Sequence, residues 1–230
     1  MEEQRTETVA AKQQRLFSRG SDTGRIEYFS DAVFAIALTL LVLDIRVPEV
    51  RHPGSQLLPA ILNLWPTLFA YALSFFIIAL NWVFHHRKFR ALVGYDTGLI
   101  VWNFVFLGFV ALVPFPTSLL SEYGPEGRVA VVLYAAEVAI LSLLQAVIWA
   151  YARRKKLLVD DIDPTLFRYV QRDGLASPII FVLSIPVAIF APDASWAMFM
   201  WILVWPVSVL VPRIGAKRRI PVAPGGVLKK

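Results

Sequence analysis

The side chains best suited to chemistry stand inside runs that are otherwise apolar. Asp31, Thr39 and Asp44 interrupt one run, Asn103 lies in a second, Glu137 in a third, and His85-His86 closes a fourth. Ionisable groups in apolar helices are costly; they face a protein interior or water, and they line ion paths, relay protons or pair with one another. Other chemistries have less support. Zero cysteines exclude a disulfide framework, a thiolate metal site and a cysteine nucleophile. His85-His86 with Asp160, Asp161 and Asp163 imitates a metal site, but His-Glu-x-x-His spacing is absent, as are Gly-x-Ser-x-Gly and any phosphate-cradling loop. Asp160-Asp161-Ile-Asp163 stands beside Pro164 and reads as a solvated loop and helix start. The chain is read as a non-enzyme without a resident cofactor or metal.

Residues of this kind need long apolar helices to hold them, and the composition supplies these. The 230 residues are 57% hydrophobic and 17% charged, with a mean hydropathy of +0.59. An ordinary soluble domain is roughly 45–50% apolar and about 25% charged. Residues 97–121, 174–192 and 194–212 carry no charge at all. A bilayer core about 30 Å thick needs roughly 20 apolar helical residues. The pattern predicts an all-α integral membrane protein and excludes a soluble enzyme, a nucleic-acid-binding domain and a disordered chain. Six spans are expected, over residues 28–46, 62–84, 97–119, 129–151, 175–191 and 195–212. Pro186 predicts a kink in the fifth. Residues 1–24 form a polar N-terminal arm with no cleavage-site pattern, 25–212 the membrane domain and 213–230 a basic tail.

Charge placement orients the spans. Twenty of the 23 Lys and Arg fall in the N-terminal arm, the 2–3 and 4–5 loops and the tail; the opposite side keeps Arg46, Arg51 and Arg128. The positive-inside rule places both termini in the cytoplasm. The net charge of +6 is thus a topology signal, not a nucleic-acid footprint. Trp65, Tyr71, Trp82, Trp149 and Tyr151 lie near span ends and read mostly as interfacial anchors.

The first span is unusual. At about 100° per residue, Ile36, Thr39, Leu40 and Leu43 share one stripe, which Arg25, Phe29 and Ala32 extend toward the cytoplasm. From the residues alone, ordinary helix packing is the first explanation of such a stripe. Asp31 points about 130° away from it, into the bundle. Arg25 and Asp31 are six apart and do not meet on their own helix, where pairs form at three or four. Candidate partners stand on the same side: His85, His86 and Asn103. A network of Arg25, Ser30, Asp31, Asn103 and one of the two histidines is expected, because unpaired polar groups inside a bundle are expensive. Ser21-Asp22-Thr23 supplies capping oxygens just upstream. Glu137, the odd charge of the fourth span, reads as a lateral partner for another helix, with a proton-sensitive group or a crevice residue as alternatives.

Arg25-x-x-x-Phe29-Ser30-Asp31, opening the first span before an Ala/Ile/Thr/Leu-rich helix, resembles the signature of the transmembrane protein 175 family of potassium channels. The resemblance covers about the first half of the chain. It implies a potassium-permeable cation channel in the plasma membrane. A single copy of the motif matches the prokaryotic members, which form homotetramers with the first helix around a central pore. By the same resemblance Ile36, Leu40 and Leu43 form a hydrophobic constriction, Thr39 faces the pore, and Arg25, Ser30 and Asp31 join an inter-helix network. No Thr-Val-Gly-Tyr-Gly run occurs, so a carbonyl-lined filter is not expected and potassium selectivity should be modest. The partners implied are the lipid bilayer and further copies of this chain. A proton- or cation-coupled transporter is the principal alternative, with Asp31, Glu137 and the histidine pair as its relay. It would show inverted repeats and broken helices; Pro186 could break the fifth helix, but spans 1–3 and 4–6 show no convincing repeat. An accessory membrane subunit is the remaining reading.

Overall fold

The computed structural model describes residues 19–20, 22–159, 167, 170 and 176–203. The basic tail, most of the N-terminal arm, the Asp160–Asp163 stretch and the end of the sixth expected span lie outside the described residues. The elements are β1 (Arg19–Gly20), α1 (Gly24–Leu40), a 3₁₀ turn (Leu41–Asp44), α2 (Pro53–Leu62), α3 (Trp65–Phe89), β2 (Tyr95–Asp96), α4 (Thr97–Leu112), α5 (Pro114–Tyr123), α6 (Arg128–Arg154), α7 (Ala176–Phe190) and α8 (Ser195–Ile202). Among them, four helical stretches are long and apolar enough to cross a membrane: Gly24–Asp44, Trp65–Phe89, Thr97–Tyr123 and Arg128–Arg154. They match the first four expected spans, shifted by a few residues at their ends.

Local sequence accounts for the boundaries. Thr23 precedes α1 but does not cap it through its side chain. Its hydroxyl donates instead to Glu27 Oε1 at 2.8 Å, and Asp22 Oδ1 accepts from the Gly24 N–H at 3.0 Å. The expected capping oxygens are therefore used, in a different pairing. Asp96 caps α4 by accepting from the Leu99 N–H at 2.8 Å. Pro114 lacks the N–H that would continue α4, so the third span is split at Val113 into α4 and α5. α7 runs through Pro186 without interruption. Two features escaped the apolar pattern: α2, exposed along almost its whole length, and the two-residue antiparallel pair of β1 with β2.

Two cores hold the bundle. One joins α1, α3, α4 and α6 through Phe34, Leu41, Ile78, Phe106 and Leu141. The other joins α3, α5, α6, α7 and α8 through Ala70, Leu120, Tyr134, Phe181 and Trp201. Ala135, Ala139, Ala188, Ala194 and Ala197 are buried in the second. Small residues let membrane helices approach closely, which matters because lipid tails are as apolar as the helices themselves. Trp149 departs from the anchor reading: it is buried and stacks on Phe167 at 5.4 Å.

Candidate functional site

α1 and the 3₁₀ turn that extends it have two contrasting sides. Ser30, Phe34, Ala37 and Leu41 are buried, and the helix packs on α3 and α4. On the other side Arg25, Tyr28, Phe29, Ala32, Ile36, Thr39, Leu40 and Leu43 are exposed. Ile36 is 57%, Leu40 41% and Leu43 69% accessible, and none of them belongs to the buried cores. The Thr39 hydroxyl donates back to the Ile36 carbonyl at 2.8 Å. With its proton so engaged, the oxygen presents only lone pairs outward.

The sealed side carries a directional hydrogen-bond chain. Ser30 Oγ donates to the Ile26 carbonyl at 2.7 Å. Asn103 Nδ2, from α4, donates to Ser30 Oγ at 3.0 Å. Asn103 Oδ1 can only accept, so His85 Nε2, at 2.9 Å, is the donor there. Ser30, Asn103 and His85 are all buried, and the imidazole lies against Phe89 (4.0 Å between centroids) and Phe106 (5.5 Å). Three helices are thereby locked in one register.

Asp31 does not join that chain. Its Oδ1 accepts from Trp82 Nε1 at 2.8 Å, and the same indole stacks on His86 at 5.4 Å. Arg25 is exposed and joins neither group among the described residues. Phe29 meets Phe104 of α4 edge to face at 5.4 Å. Of the residues expected to cluster, the structure thus brings Ser30, Asn103 and His85 together, gives Asp31 a separate tryptophan partner and leaves Arg25 on the exposed side.

Several polar partners were missed because their own runs look uniformly apolar. Asp44 accepts from Ser118 Oγ at 2.6 Å, which ties the far end of the first span to α5. Tyr134 hydroxyl, Ser74 Oγ and Thr117 Oγ1 form a buried line across α6, α3 and α5, with spacings of 2.9 and 2.8 Å. Lys88 Nζ donates to Gln145 Oε1 at 3.1 Å, and Gln145 Nε2 donates to the Asn81 carbonyl at 2.7 Å. The available signal was the lone Ser, Thr, Asn or Gln inside each span, since every such group in hydrocarbon needs a mate. Glu137 and the buried Trp149 indole N–H are exceptions among the described residues. Glu137 is buried, and its Oε1 has no hydrogen-bond partner among the described residues.

Comparison with known proteins agrees with this architecture. Residues 25–114 match the family model described as endosomal/lysosomal potassium channel TMEM175. A potassium channel of Chamaesiphon minutus is 44% identical over 135 residues, 57% of this chain and 66% of that protein. One of Streptomyces collinus is 41% identical over 143 residues, 61% of this chain and 69% of that protein. The crystal structure of a lysosomal potassium-selective channel TMEM175 homolog from Chamaesiphon minutus superposes with a TM-score of 0.69 at 30% identity, covering 85% of this chain and 99% of that one. This chain, with its α1 motif, its membrane helices and these relatives, belongs to the TMEM175 family, a family of ion channels and not of enzymes.

Proposed function

We propose that this chain forms a potassium-permeable cation channel, with α1 from several copies, four on the family's pattern, surrounding a central pore. One observation carries the reading: Ile36, Thr39, Leu40 and Leu43 lie exposed along a helix whose opposite side is sealed against its own chain. Cyclic symmetry would gather that stripe around one axis. Rings of Ile36, Leu40 and Leu43 make an apolar neck, and such constrictions gate by dewetting. The Thr39 ring offers oxygen lone pairs to a partly dehydrated cation. No stack of backbone carbonyls is needed, so preference for potassium over sodium is modest. The permeant ion is potassium, as the names of the two relatives suggest. The buried Ser30–Asn103–His85 chain and the Asp31–Trp82 bond set the angle at which α1 meets the axis.

In this reading the protein crosses the plasma membrane six times, with both termini in the cytoplasm. The described part of α7, 15 residues, is about 22 Å long at 1.5 Å per residue. No resident cofactor or nucleic-acid partner is required. The purified protein in liposomes should carry potassium flux that is ohmic, slower for sodium and absent for chloride. Flux that saturates and couples to a second ion would replace this reading with the transporter. No flux under any ionic gradient would favour an accessory subunit.

A further inference from the structure

We propose that Arg87, Arg90, Arg153, Arg154 and Lys155 form a binding site for the headgroup of an anionic phospholipid, at the bilayer edge where α3 and α6 both end. The two helix ends are tied together by backbone. Val93 N–H donates to the Leu157 carbonyl at 2.9 Å, Val159 N–H to the Ala91 carbonyl at 3.0 Å, and Leu92 pairs with Leu158. All five cationic side chains are exposed.

Helix capping is the ordinary use of cations at such a place, and here the backbone already performs it. α6 closes in a Schellman turn: Lys156 takes a left-handed φ of 54°, its N–H donates to the Arg153 carbonyl at 3.1 Å, and the Leu157 N–H reaches the Ala152 carbonyl at 2.9 Å. At the end of α3 the N–H groups of Arg90, Ala91 and Leu92 donate to the carbonyls of His86, Lys88 and Phe89. The cation that does turn inward is Lys88, held by Gln145.

The remaining charges are placed for an external anion. Residues 84–94 and 147–159 contain no acidic side chain; the nearest described acid in sequence, Asp96, caps α4 and accepts from the Tyr151 hydroxyl at 2.9 Å. Asp160, Asp161 and Asp163 follow in sequence and lie outside the described residues. Arg153 is steadied over the Phe167 ring at 4.1 Å and Lys155 over Tyr151 at 5.9 Å. Val93 and Val159, both exposed, set apolar surface beside the cations. Cations above apolar side chains at the end of a span match a phosphate above its acyl chains. This site is independent of whether the chain conducts.

Native mass spectrometry of the delipidated full-length protein, offered phosphatidylglycerol or phosphatidylcholine, tests it. The parent should retain phosphatidylglycerol preferentially, and retention should weaken as sodium chloride is raised. R87Q/R90Q/R153Q/R154Q should lose that preference by about tenfold or more. The four arginines changed to lysine should keep it within about threefold, which separates charge from fold. R46Q/R51Q, on the opposite side of the sequence's charge pattern, should leave it unchanged. Preference that survives the glutamine variant, or that ignores salt, overturns the proposal. So does displacement of the lipid by inorganic phosphate at matched concentration, which would make this a site for a soluble anion.

Discussion

Asn103 of α4 donates its amide N–H to Ser30 Oγ of α1 at 3.0 Å, and its carbonyl oxygen simultaneously accepts from His85 of α3. One side chain thus settles how the helix with the exposed stripe is rotated. In hydrocarbon a side-chain hydrogen bond is worth about 0.6 kcal/mol on average, but a stranded buried donor costs about 1–3 kcal/mol. Asn103→Ala strands His85 Nε2. It should lower stability in detergent by about 1–3 kcal/mol, read from the unfolding midpoint. Asn103→Asp keeps an acceptor for His85 but gives up the donor to Ser30, and should fall between alanine and the parent.

The stripe on α1 can be tested without disturbing the core, since none of its members is buried. Ile36→Ala widens the proposed neck and should raise liposome potassium flux by about threefold or more. Thr39→Ala removes the outward oxygen and should erase most of the preference over sodium at a similar total rate. If neither substitution moves flux or selectivity, the conduction path lies elsewhere and the stripe faces lipid or packs against other helices.

Gly98 marks a close approach of α4 to α6. A Cβ there would collide with the Tyr151 hydroxyl, which donates to Asp96 Oδ2 at 2.9 Å. Gly98→Ala should therefore destabilise by about 1–3 kcal/mol through overpacking. In a Tyr151→Phe background the added cost should shrink without vanishing, because the nearest colliding oxygen is gone while the ring Cζ remains at 2.7 Å. A double-mutant cycle on unfolding midpoints measures that coupling; simple additivity would refute the contact.

Arg128 clasps the end of α7. Its guanidinium donates to the carbonyls of Ala188, Ile189, Ala191 and Pro192 at 2.8 to 3.1 Å. Cations are favourable at helix C-termini, where the last carbonyls lack partners. Arg128→Ala should cost about 1 kcal/mol and speed proteolysis at the α7–α8 turn. Arg128→Lys, with one point charge in place of a fork, should recover only part of this.

In the same turn, the Ser195 backbone N–H donates to Asp193 Oδ1 at 2.7 Å. That bond above all, with the Ser195 hydroxyl and the Arg128 charge helping, holds the Asp193 carboxyl below its usual range. A depressed folded value means the support is fully present above the ordinary carboxylate pKa and fades as pH falls through the lower folded one. Proteolysis of the turn should accelerate with acid in the parent, and in Asp193→Asn it should be less dependent on pH.

What the sequence determined by itself was the class of molecule and the face of α1. Uncharged runs longer than a bilayer core can only be helices buried in lipid or protein, because backbone N–H and C=O groups find no other partners there. Helical periodicity set Ile36, Thr39, Leu40 and Leu43 on one stripe, and that stripe is the exposed one. Pairing was left to tertiary structure. Asp31 had two histidines and Asn103 within plausible reach along the chain, and it bonds instead to Trp82. The same sequence pattern gave no hint that Ser118 would hold Asp44 or that Arg128 would cap α7. A hydrogen bond needs atoms within about 3 Å at a usable angle, and helix rotation, tilt and offset decide which donor arrives there. Those variables come from the packing of whole helix faces, so residue type and spacing indicate that a polar group requires a partner without naming the residue that supplies it.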